Sequence, residues 1–371
     1  MIQNDKTDVF VVGGGPAGLA AAIATRKKGF TVVLADGAEP PIDKPCGEGL
    51  MPETRAALRE MGITPDGREG FEFRGIRFSQ RGKRVAADFP EGKGMGLRRP
   101  LLHAMLVAKA EESGVRLLWR APASAITPEG VQLKGGFVRA RWIVGADGGG
   151  SRVRRWSGLE STAQRTQRSA TRRHYHVRSW SEYMEIHWGR GAQAYVTPIG
   201  KEEICVVVLA ERPENADFTK VLEELPELRE RLSDAELASR ERGAITAMHR
   251  LKSVTRGNVA LVGDASGGVD AITGEGLRLA FRQALALAEA LERNDLRGYE
   301  RAHRELARRP MRMGKLMLLL GRNEELRQRS FAAFATRPQL FEDLLAMHVG
   351  RASCAQMLGT GLEFGWQFLS A

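Results

Sequence analysis

The chain has 371 residues, of which 43% are hydrophobic and 27% charged, and its formal net charge is +11. This length supports two or three structural units and a large core. No apolar run approaches the roughly 20 residues of a membrane span, and no basic leader precedes the first strand, so we expect a cytoplasmic protein. Cys46, Cys205 and Cys354 are too few and too scattered for disulfides or a zinc site, and we predict no metal.

Residues 8–36, DVFVVGGGPAGLAAAIATRKKGFTVVLAD, predict a dinucleotide-binding unit. VFVV is typical of a buried parallel strand, an Ala-rich helix follows, and TVVLA is a second strand. Gly13 allows a tight turn, Gly15 lets the backbone approach a pyrophosphate, and Gly18 lets the helix pack close to the strand. Asp36 ends the second strand, where an acidic residue accepts hydrogen bonds from the adenosine ribose.

DKPCGEGLMP, residues 43–52, has no hydrophobic period and predicts a shaped loop that holds Cys46. Three interpretations of Cys46 are open: packing as a small apolar residue, chemistry as a nucleophile or proton donor, or tolerance of a close backbone turn. Lys44 is close enough in sequence to activate the thiol. Glu48 is either a proton relay or a solvated surface carboxylate.

Two blocks of alternating residues predict strands: residues 71–89, and a set of segments that begins with RRHYHVRSW at residue 172 and ends with EICVVVLAE at residue 203. We expect them to form one antiparallel sheet that floors a substrate cavity. The aromatic candidates to line that cavity are Tyr175, Tyr183, Trp188 and Tyr195. Packing against helices is the alternative for each of them. His174, His176 and His187 show no metal-ligand spacing.

Two more glycine-rich turns follow predicted strands. RWIVGADGGGSRVRR, residues 141–155, carries Asp147, and the stretch that begins NVALVGDASGG at residue 258 carries Asp264. Such aspartates lie at the edge where open α/β sheets bind ligands, and a helix N-cap is a compatible second role. From about Asp295 the chain is predicted to be helical, with breaks at Pro310 and Pro338. Its Met- and Leu-rich face predicts core packing, a lipid-lined tunnel or peripheral membrane contact.

GxGxxG, GADG with SRVR, and GDA…GEG stand here in the order found in FAD enzymes built like p-hydroxybenzoate hydroxylase, and the chain resembles that superfamily. LRRPLLHAML, residues 97–106, adds its R-x-x-L-x-x-x-L pattern, with Arg99 as the arginine. KPCGEG and TGEG resemble the geranylgeranyl reductase branch most. Typical aromatic hydroxylases have histidine and glutamine where this chain has Ser266 and Glu275. Ala271 departs from the family, which usually has a proline where substrate meets flavin.

The resemblance implies an α/β fold, with a Rossmann-like FAD-binding domain of parallel sheet and helices, an antiparallel β-sheet substrate domain, and C-terminal helices. The implied FAD-binding domain comprises residues 1–70, 92–165 and 243–295, the substrate domain 71–91 and 166–242, and the C-terminal helical region 296–371.

The resemblance also implies FAD as cofactor and NAD(P)H as reductant. Asp264 would bond the ribityl chain, Gly274 and Gly276 would bring backbone amides to the flavin ring, Arg99 would lie near the pyrophosphate, and Cys46 would lie beside the ring. The implied cofactor-binding set is Gly13, Gly15, Pro16, Ala17, Gly18, Asp36, Cys46, Gly47, Arg99, Asp147, Gly263, Asp264, Gly274 and Gly276. The catalytic candidates are Cys46, Glu48 and Tyr195, the last within AYVTPIG, which resembles a flavin-facing segment of the reductases.

Three functions fit the resemblance. The leading one is an NAD(P)H-driven FAD enzyme that reduces a C=C bond in a hydrophobic small molecule, in the manner of geranylgeranyl reductases. The second is a flavin monooxygenase or halogenase, and the third is a non-catalytic prenyl-binding relative. The positive charge predicts a basic solvated surface or an acidic partner, such as a diphosphate or a carrier protein. No nucleic-acid motif is present, so we expect no nucleic-acid partner.

Overall fold

A computed structural model describes residues 2–160, 166–211, 217–248 and 250–351. Cys354 and the end of the implied C-terminal region lie outside these ranges. Two eight-stranded sheets, a three-stranded sheet and a set of helices make up the described fold. The fold class is α/β with a Rossmann-like FAD-binding sheet, a largely antiparallel second sheet and C-terminal helices, as predicted.

The first sheet contains the dinucleotide-binding motif. Its strands in spatial order are Thr255–Arg256, Val259–Leu261, Gly136–Gly145, Ile2–Val12, Val32–Ala35 and Arg116–Leu118, with a hairpin of Ala123–Thr127 and Gly130–Leu133 attached to Gly136–Gly145. The pairings from Val259–Leu261 through to Arg116–Leu118 are all parallel, so these strands end at one edge. Val9, Phe10 and Val11 are fully buried, as expected for a strand covered on both faces.

Helices pack against this sheet and against each other. The long ones are Pro16–Lys27, Arg99–Glu112 and Gly276–Glu292, and the shorter ones are Pro52–Glu60 and Arg152–Trp156. Pro16–Lys27 buries a run of small residues from Ala20 to Ala22, which lets it lie close to Gly276–Glu292 and to the sheet. Two short 3₁₀ turns, Gly263–Ser266 and Ala271–Thr273, precede Gly276–Glu292.

The second sheet joins the two predicted blocks of strands. Its strands in spatial order are Glu236–Leu237, Thr166–His176, Glu203–Ala210, Ala192–Gly200, Tyr183–Trp188, Gly75–Gln80 and Lys83–Asp88, with Arg242–Met248 also paired to Thr166–His176. The blocks meet at Tyr183–Trp188 and Gly75–Gln80, which is the parallel pairing in an otherwise antiparallel sheet. Arg242–Met248 extends this sheet past residue 242, where the sequence placed the end of the substrate domain. Helices Phe218–Glu223 and Pro226–Arg231 pack on it.

Gly49–Leu50, Gly94–Gly96 and Phe71–Phe73 form a small sheet. In the sequence, each of these strands falls where the chain passes from one large sheet to the other. The C-terminal helices are Leu296–Arg322, Glu324–Thr336 and Pro338–Val349.

The break predicted at Pro310 is wrong. Pro310 is buried inside the continuous helix Leu296–Arg322, where packing compensates for the hydrogen bond that its missing N–H cannot make. The chain breaks at Asn323 instead, whose side chain caps the next helix by accepting from the Leu326 N–H. Pro338 starts a helix, as a proline at the first position can. None of the helices in the described ranges is long and apolar enough to cross a membrane.

Candidate active site

Glycines shape the turn between the first strand and the first long helix. Gly13 adopts φ +114°, and a Cβ there would lie 2.5 Å from the Ala146 carbonyl oxygen. A Cβ on Gly18 would lie 1.8 Å from the Gly13 carbonyl oxygen, so only glycine lets the helix start so close to the strand. A Cβ on Gly15 would meet no atom within 4 Å, because Gly15 faces a cavity. We call residues 13–18 the glycine turn.

A cavity of about 740 Å³ lies between the carboxyl ends of the parallel strands and the second sheet. All the residues that the sequence assigned to cofactor binding or catalysis line it, except Gly18, which packs inside the glycine turn. Those lining residues are Gly13, Gly15, Pro16, Ala17, Asp36, Cys46, Gly47, Glu48, Arg99, Asp147, Tyr195, Gly263, Asp264, Gly274 and Gly276. The fold therefore brings stretches from seven separate parts of the chain around one space.

Two long helices begin at this cavity without a capping side chain. Pro16–Lys27 follows Gly15, which has no side chain, and Gly276–Glu292 follows Glu275, whose side chain accepts no hydrogen bond from a backbone N–H of the first turn. Uncapped amide groups at the positive end of a helix favour anionic or carbonyl oxygens. The Nε of Arg99 is buried at the same cavity and has no hydrogen-bond partner among the described residues. These groups suit a cofactor such as FAD, which carries a pyrophosphate and ring carbonyl oxygens.

Asp36 links the glycine turn to the neighbouring strand. Its carboxylate accepts from the N–H of Gly14 at 2.6 Å and of Ala38 at 2.7 Å, and it still lines the cavity where a ribose would lie. His103, which sequence reasoning missed, holds the turn from the other side, with Nε2 2.8 Å from the Gly14 carbonyl oxygen. Burial lowers the pKa of His103, so its ring is neutral at pH 7 and donates one hydrogen bond here.

The two other aspartates have different surroundings. Asp147 accepts from the Ser151 hydroxyl and from the Arg152 N–H at 2.6 Å, so it does stabilise a helix start while it borders the cavity. Asp264 pairs with Lys44 Nζ at 2.9 Å, and both side chains are about half exposed. Lys44 therefore joins the loop that carries Cys46 to the turn that carries Asp264.

The loop of residues 43–49, which we call the Cys46 loop, is held by side chains of the second sheet. Thr197 donates to the Gly47 carbonyl oxygen at 2.7 Å, and the Cys205 thiol donates to the Cys46 carbonyl oxygen at 3.7 Å. Burial raises the pKa of Cys205, which keeps the thiol protonated and able to donate. The Cys46 side chain is half-buried and lines the cavity.

Glu48 is 1% exposed, so its interpretation as a solvated surface carboxylate is wrong. Its carboxylate accepts from the Arg99 N–H at 2.9 Å, from Arg172 Nη1 at 3.2 Å, and lies 2.8 Å from His174 Nε2. Its own N–H donates to Cys46 Sγ at 3.4 Å, and its φ of +57° marks a tight turn. Glu48 thus connects the Cys46 loop to a helix start and to the second sheet.

Arg172 is the cation of this network. Both its terminal nitrogens bond Asp43, at 3.0 and 2.8 Å, while one of them also reaches Glu48. Burial alone would raise the pKa of Asp43, but the hydrogen bonds and charge of Arg172, with the charge of Arg242, outweigh it and lower that pKa. The Cys46 loop is therefore fixed at both ends by one buried guanidinium.

The side chains of Glu48, His174 and Cys205 have ligand-type atoms within 4.8 Å of one another. The Arg172 guanidinium already bonds Glu48, and the Cys205 thiol keeps its proton. A divalent cation would have to displace the guanidinium and remove that proton. This cluster is therefore a hydrogen-bond network and does not suit a metal ion.

A second pocket of about 40 Å³ adjoins the cavity and shares Met184, Tyr195 and Gly274 with it. Its walls come from the second sheet and the C-terminal helices. The other lining residues are Met51, Ile76, Phe78, Ile186, Ile272, Thr273, Met313, Met317, Phe341, Leu344, Leu345 and His348. We call this space the apolar pocket, since most of its lining side chains are aliphatic, aromatic or thioether groups.

Tyr195 separates the cavity from the apolar pocket. Its hydroxyl donates to the Ile272 carbonyl oxygen at 2.9 Å, and burial raises its pKa, so it stays a protonated phenol. The other aromatic candidates lie elsewhere: Tyr183 donates to Asp88, and Tyr175 and Trp188 pack in hydrophobic clusters of the second sheet. Of the four, only Tyr195 is among the residues that line the cavity or the apolar pocket.

Sequence reasoning missed four residues that the structure places at this site: His103, Arg172, His174 and His348. One signal was available, because Arg172 and His174 alternate along a strand and so share a face. Two polar side chains on the buried face of a sheet need hydrogen-bond partners that are also buried. Nothing in the sequence named those partners.

The family model described as FAD binding domain matches residues 6–302. Menaquinone reductase of Mycobacterium tuberculosis is 28% identical over 324 residues, 80% of this chain and 79% of that protein. Digeranylgeranylglycerophospholipid reductase 1 of Methanopyrus kandleri is 31% identical, over 78% of this chain and 82% of that protein.

Among solved structures, a geranylgeranyl bacteriochlorophyll reductase-like protein from Thermoplasma acidophilum superposes with a TM-score of 0.77 at 21% identity, covering 99% of this chain and 98% of that one. At that identity the superposition shows the shared fold. The match of the family model over most of the chain, together with the cavity that suits FAD, shows the family. The chain belongs to the FAD binding domain family, and it is an FAD-dependent oxidoreductase related to the geranylgeranyl reductases.

Proposed function

We propose that this protein reduces a C=C bond in a hydrophobic, isoprenoid-type molecule, with FAD as cofactor and NAD(P)H as reductant. The observation that carries the proposal is the apolar pocket, which adjoins the FAD cavity and shares three lining residues with it. A hydrocarbon chain in that pocket would lie against the end of the cavity where the flavin ring is expected. The relatives named for prenylated quinones and lipids support the same substrate class.

The side chains of the apolar pocket suit a flexible hydrocarbon. Met51, Met184, Met313 and Met317 line it, and methionine side chains rearrange more easily than branched ones. The free space of about 40 Å³ is small, so a substrate would enter by displacing these side chains. Their closure around the chain would exclude water from the reacting carbons.

Bound FAD, once reduced, supplies the hydride that such a reduction needs, and a proton must reach the other carbon of the double bond. In our proposal Glu48 and Tyr195 are positioning residues, since Glu48 is bonded to Arg172 and the Tyr195 hydroxyl to a carbonyl oxygen. Cys46 borders the reacting face, and its loop keeps the thiol there. The cofactor-binding roles of the glycine turn, Asp36, Arg99 and Asp264 belong to the same proposal.

The test uses purified, FAD-loaded protein without oxygen. A C20 prenyl alcohol and a short-chain prenylated quinone are incubated with NADPH or NADH, and the products are analysed by mass spectrometry. We expect a product whose prenyl chain gains two hydrogen atoms, which fragment masses distinguish from reduction of the quinone ring, with one nicotinamide oxidised for each two hydrogen atoms gained. The matched control omits the nicotinamide.

Two results would contradict the proposal. A product that contains oxygen or halogen, and that forms only when oxygen is admitted, would indicate a monooxygenase or halogenase. A pure protein that is colourless and takes up no added FAD would indicate a non-catalytic prenyl-binding protein.

A further inference from the structure

One of the residues that line the apolar pocket has a buried side-chain nitrogen with no hydrogen-bond partner in the part of the chain that the structure describes. Of the described residues that line the pocket, three have a side-chain oxygen or nitrogen: Tyr195, Thr273 and His348. Tyr195 donates to Ile272, and Thr273 donates to the Asp270 carbonyl oxygen. The Nδ1 of His348 has no hydrogen-bond partner among the described residues, although the residue is only 7% exposed.

An unpartnered buried nitrogen destabilises the fold unless something binds it. Burial lowers the pKa of His348, and the charges of Arg309 and Arg278 lower it further, while Glu275 and the Thr273 backbone carbonyl act in the opposite direction. The net shift is downward, so the imidazole is neutral at pH 7. A neutral imidazole offers one N–H donor and one lone-pair acceptor. Which nitrogen carries the proton follows from the charges around the ring.

Glu275 faces the other nitrogen of this ring. Its Oε1 lies 3.8 Å from His348 Nε2, and that oxygen is buried without a hydrogen-bond partner of its own. A carboxylate on this side favours the tautomer with its proton on Nε2. Nδ1 then presents its lone pair, which accepts a hydrogen bond. Arg278 bonds Glu275 from the following helix turn and so fixes the carboxylate.

We propose that His348 Nδ1 accepts a hydrogen bond from a hydroxyl group of the hydrophobic substrate and is a specificity-determining residue of the apolar pocket. This inference rests on the proposed substrate class, and it narrows that class to isoprenoid molecules with a hydroxyl group, such as prenyl alcohols or prenylated quinols. A pure hydrocarbon or an ether offers no donor to the nitrogen. The site lies on helix Pro338–Val349, across the apolar pocket from Gly274, where the flavin ring is expected.

The experiment compares two probes that differ only at the oxygen: a C20 prenyl alcohol and its methyl ether. Each is titrated into the oxidised, FAD-loaded protein without reductant, and binding is followed by flavin absorbance and by calorimetry. We expect the alcohol to bind about three- to tenfold more tightly, the range that one neutral hydrogen bond supports. In His348→Phe this ratio falls to about one, because the alcohol loses affinity and the ether does not.

Two further variants keep the result interpretable. His348→Gln places an amide oxygen acceptor near the same position and should retain part of the preference. Leu345→Val, on the same helix and in the same pocket, should weaken both probes equally and leave their ratio unchanged. If His348→Phe does not fold, the wild type, His348→Gln and Leu345→Val still give the comparison.

The inference is overturned if wild type binds the two probes equally, if neither probe binds, or if His348→Phe keeps the preference. A prenylated quinone that binds more tightly than its quinol would also overturn it, because Nδ1 would then be a donor to a carbonyl. The titration involves no turnover. Preferential binding of an alcohol that the enzyme never reduces would therefore contradict the proposed function and leave this inference standing.

Discussion

The glycine turn and the Cys46 loop border the same cavity, and their conformations are determined in different ways. In the glycine turn, the absence of side chains decides the conformation, and contacts form with backbone atoms at the ends of adjacent strands. The Cys46 loop is held by Arg172, His174 and Thr197, which follow it by more than a hundred residues. The nucleotide side of the site is thus specified mainly by the glycines of the turn itself, and the substrate side depends on the second sheet.

The largest loss of stability is expected when the contacts between the Cys46 loop and the second sheet are removed. Arg172→Met leaves the buried carboxylate of Glu48 without its cation and leaves Asp43 with Arg242 as its remaining cation, and we expect the free energy of unfolding to fall by about 3–5 kcal/mol. Urea denaturation at pH 7 measures it. The matched control is Arg74→Met, because Arg74 pairs with Asp88 while both side chains are half exposed, and such a pair contributes little to stability. Equal losses in the two variants would show that the buried network does not stabilise the loop.

The local specification of the glycine turn is tested by two alanine variants. A Cβ at position 18 would lie 1.8 Å from a carbonyl oxygen, so Gly18→Ala should lower the free energy of unfolding by about 3 kcal/mol and abolish flavin binding. Gly15→Ala adds a methyl group that contacts nothing in the protein, so it should leave stability nearly unchanged and reduce FAD content. Denaturation curves and the flavin absorbance of the purified variants separate these effects. A Gly15→Ala protein with full flavin would place the pyrophosphate elsewhere.

The Asp264 turn, Gly263–Ser266, comes just after strand Val259–Leu261 of the first sheet and is contacted by helix Leu296–Arg322. His303 Nε2 lies 2.8 Å from the Ser266 hydroxyl, and burial lowers the pKa of His303 to about 4. The unfolded chain binds this proton near pH 6.5, so stability is fully present above that pH and decreases as the pH falls toward 4. We expect about 2 kcal/mol of this decrease to disappear in His303→Gln. If the free energy of unfolding of wild type and of His303→Gln changed equally with pH, the assignment of this decrease to His303 would be wrong.

The smallest effects are expected for single side chains at the cofactor. Asp264→Ala should weaken FAD binding about tenfold, because a charged hydrogen bond is lost, and Cys46→Ala should change it less than about threefold. Equilibrium dialysis of FAD measures both, and Lys44→Met controls for the ion pair that Asp264 also makes. A Cys46→Ser protein with full flavin but no turnover would assign chemistry to the thiol. Normal turnover by Cys46→Ser would indicate that Cys46 only shapes the loop and takes no part in the chemistry.

The glycine turn could be predicted because the strand, the turn and the helix that form it lie within one βαβ unit. The aspartates at strand ends also follow from a general property of open α/β sheets. Glu48 could not be placed in this way. Its burial depends on hydrogen bonds to Arg172 and His174. No local pattern in KPCGEG predicts hydrogen-bond partners on a distant strand.

The C-terminal helices show the same limit. A proline at position 310 is locally unfavourable in a helix, and the prediction of a break followed from that fact alone. Tertiary packing of Met313 and Met317 against the second sheet keeps the helix continuous there. The role of His348 could not be predicted for a related reason. A histidine in an apolar helix can be assigned to a pocket only when the residues that pack opposite it are known.

The parallel pairing in the second sheet affects how the protein can be assembled on the ribosome. The hairpin of Gly75–Gln80 and Lys83–Asp88 emerges first, but its partner strand Tyr183–Trp188 follows about a hundred residues later. During that interval one edge of the hairpin has no strand to pair with, and its apolar face has no helix to cover it. Nascent chains that stall between these strands should therefore require chaperone protection, and fragments that end before residue 183 should aggregate.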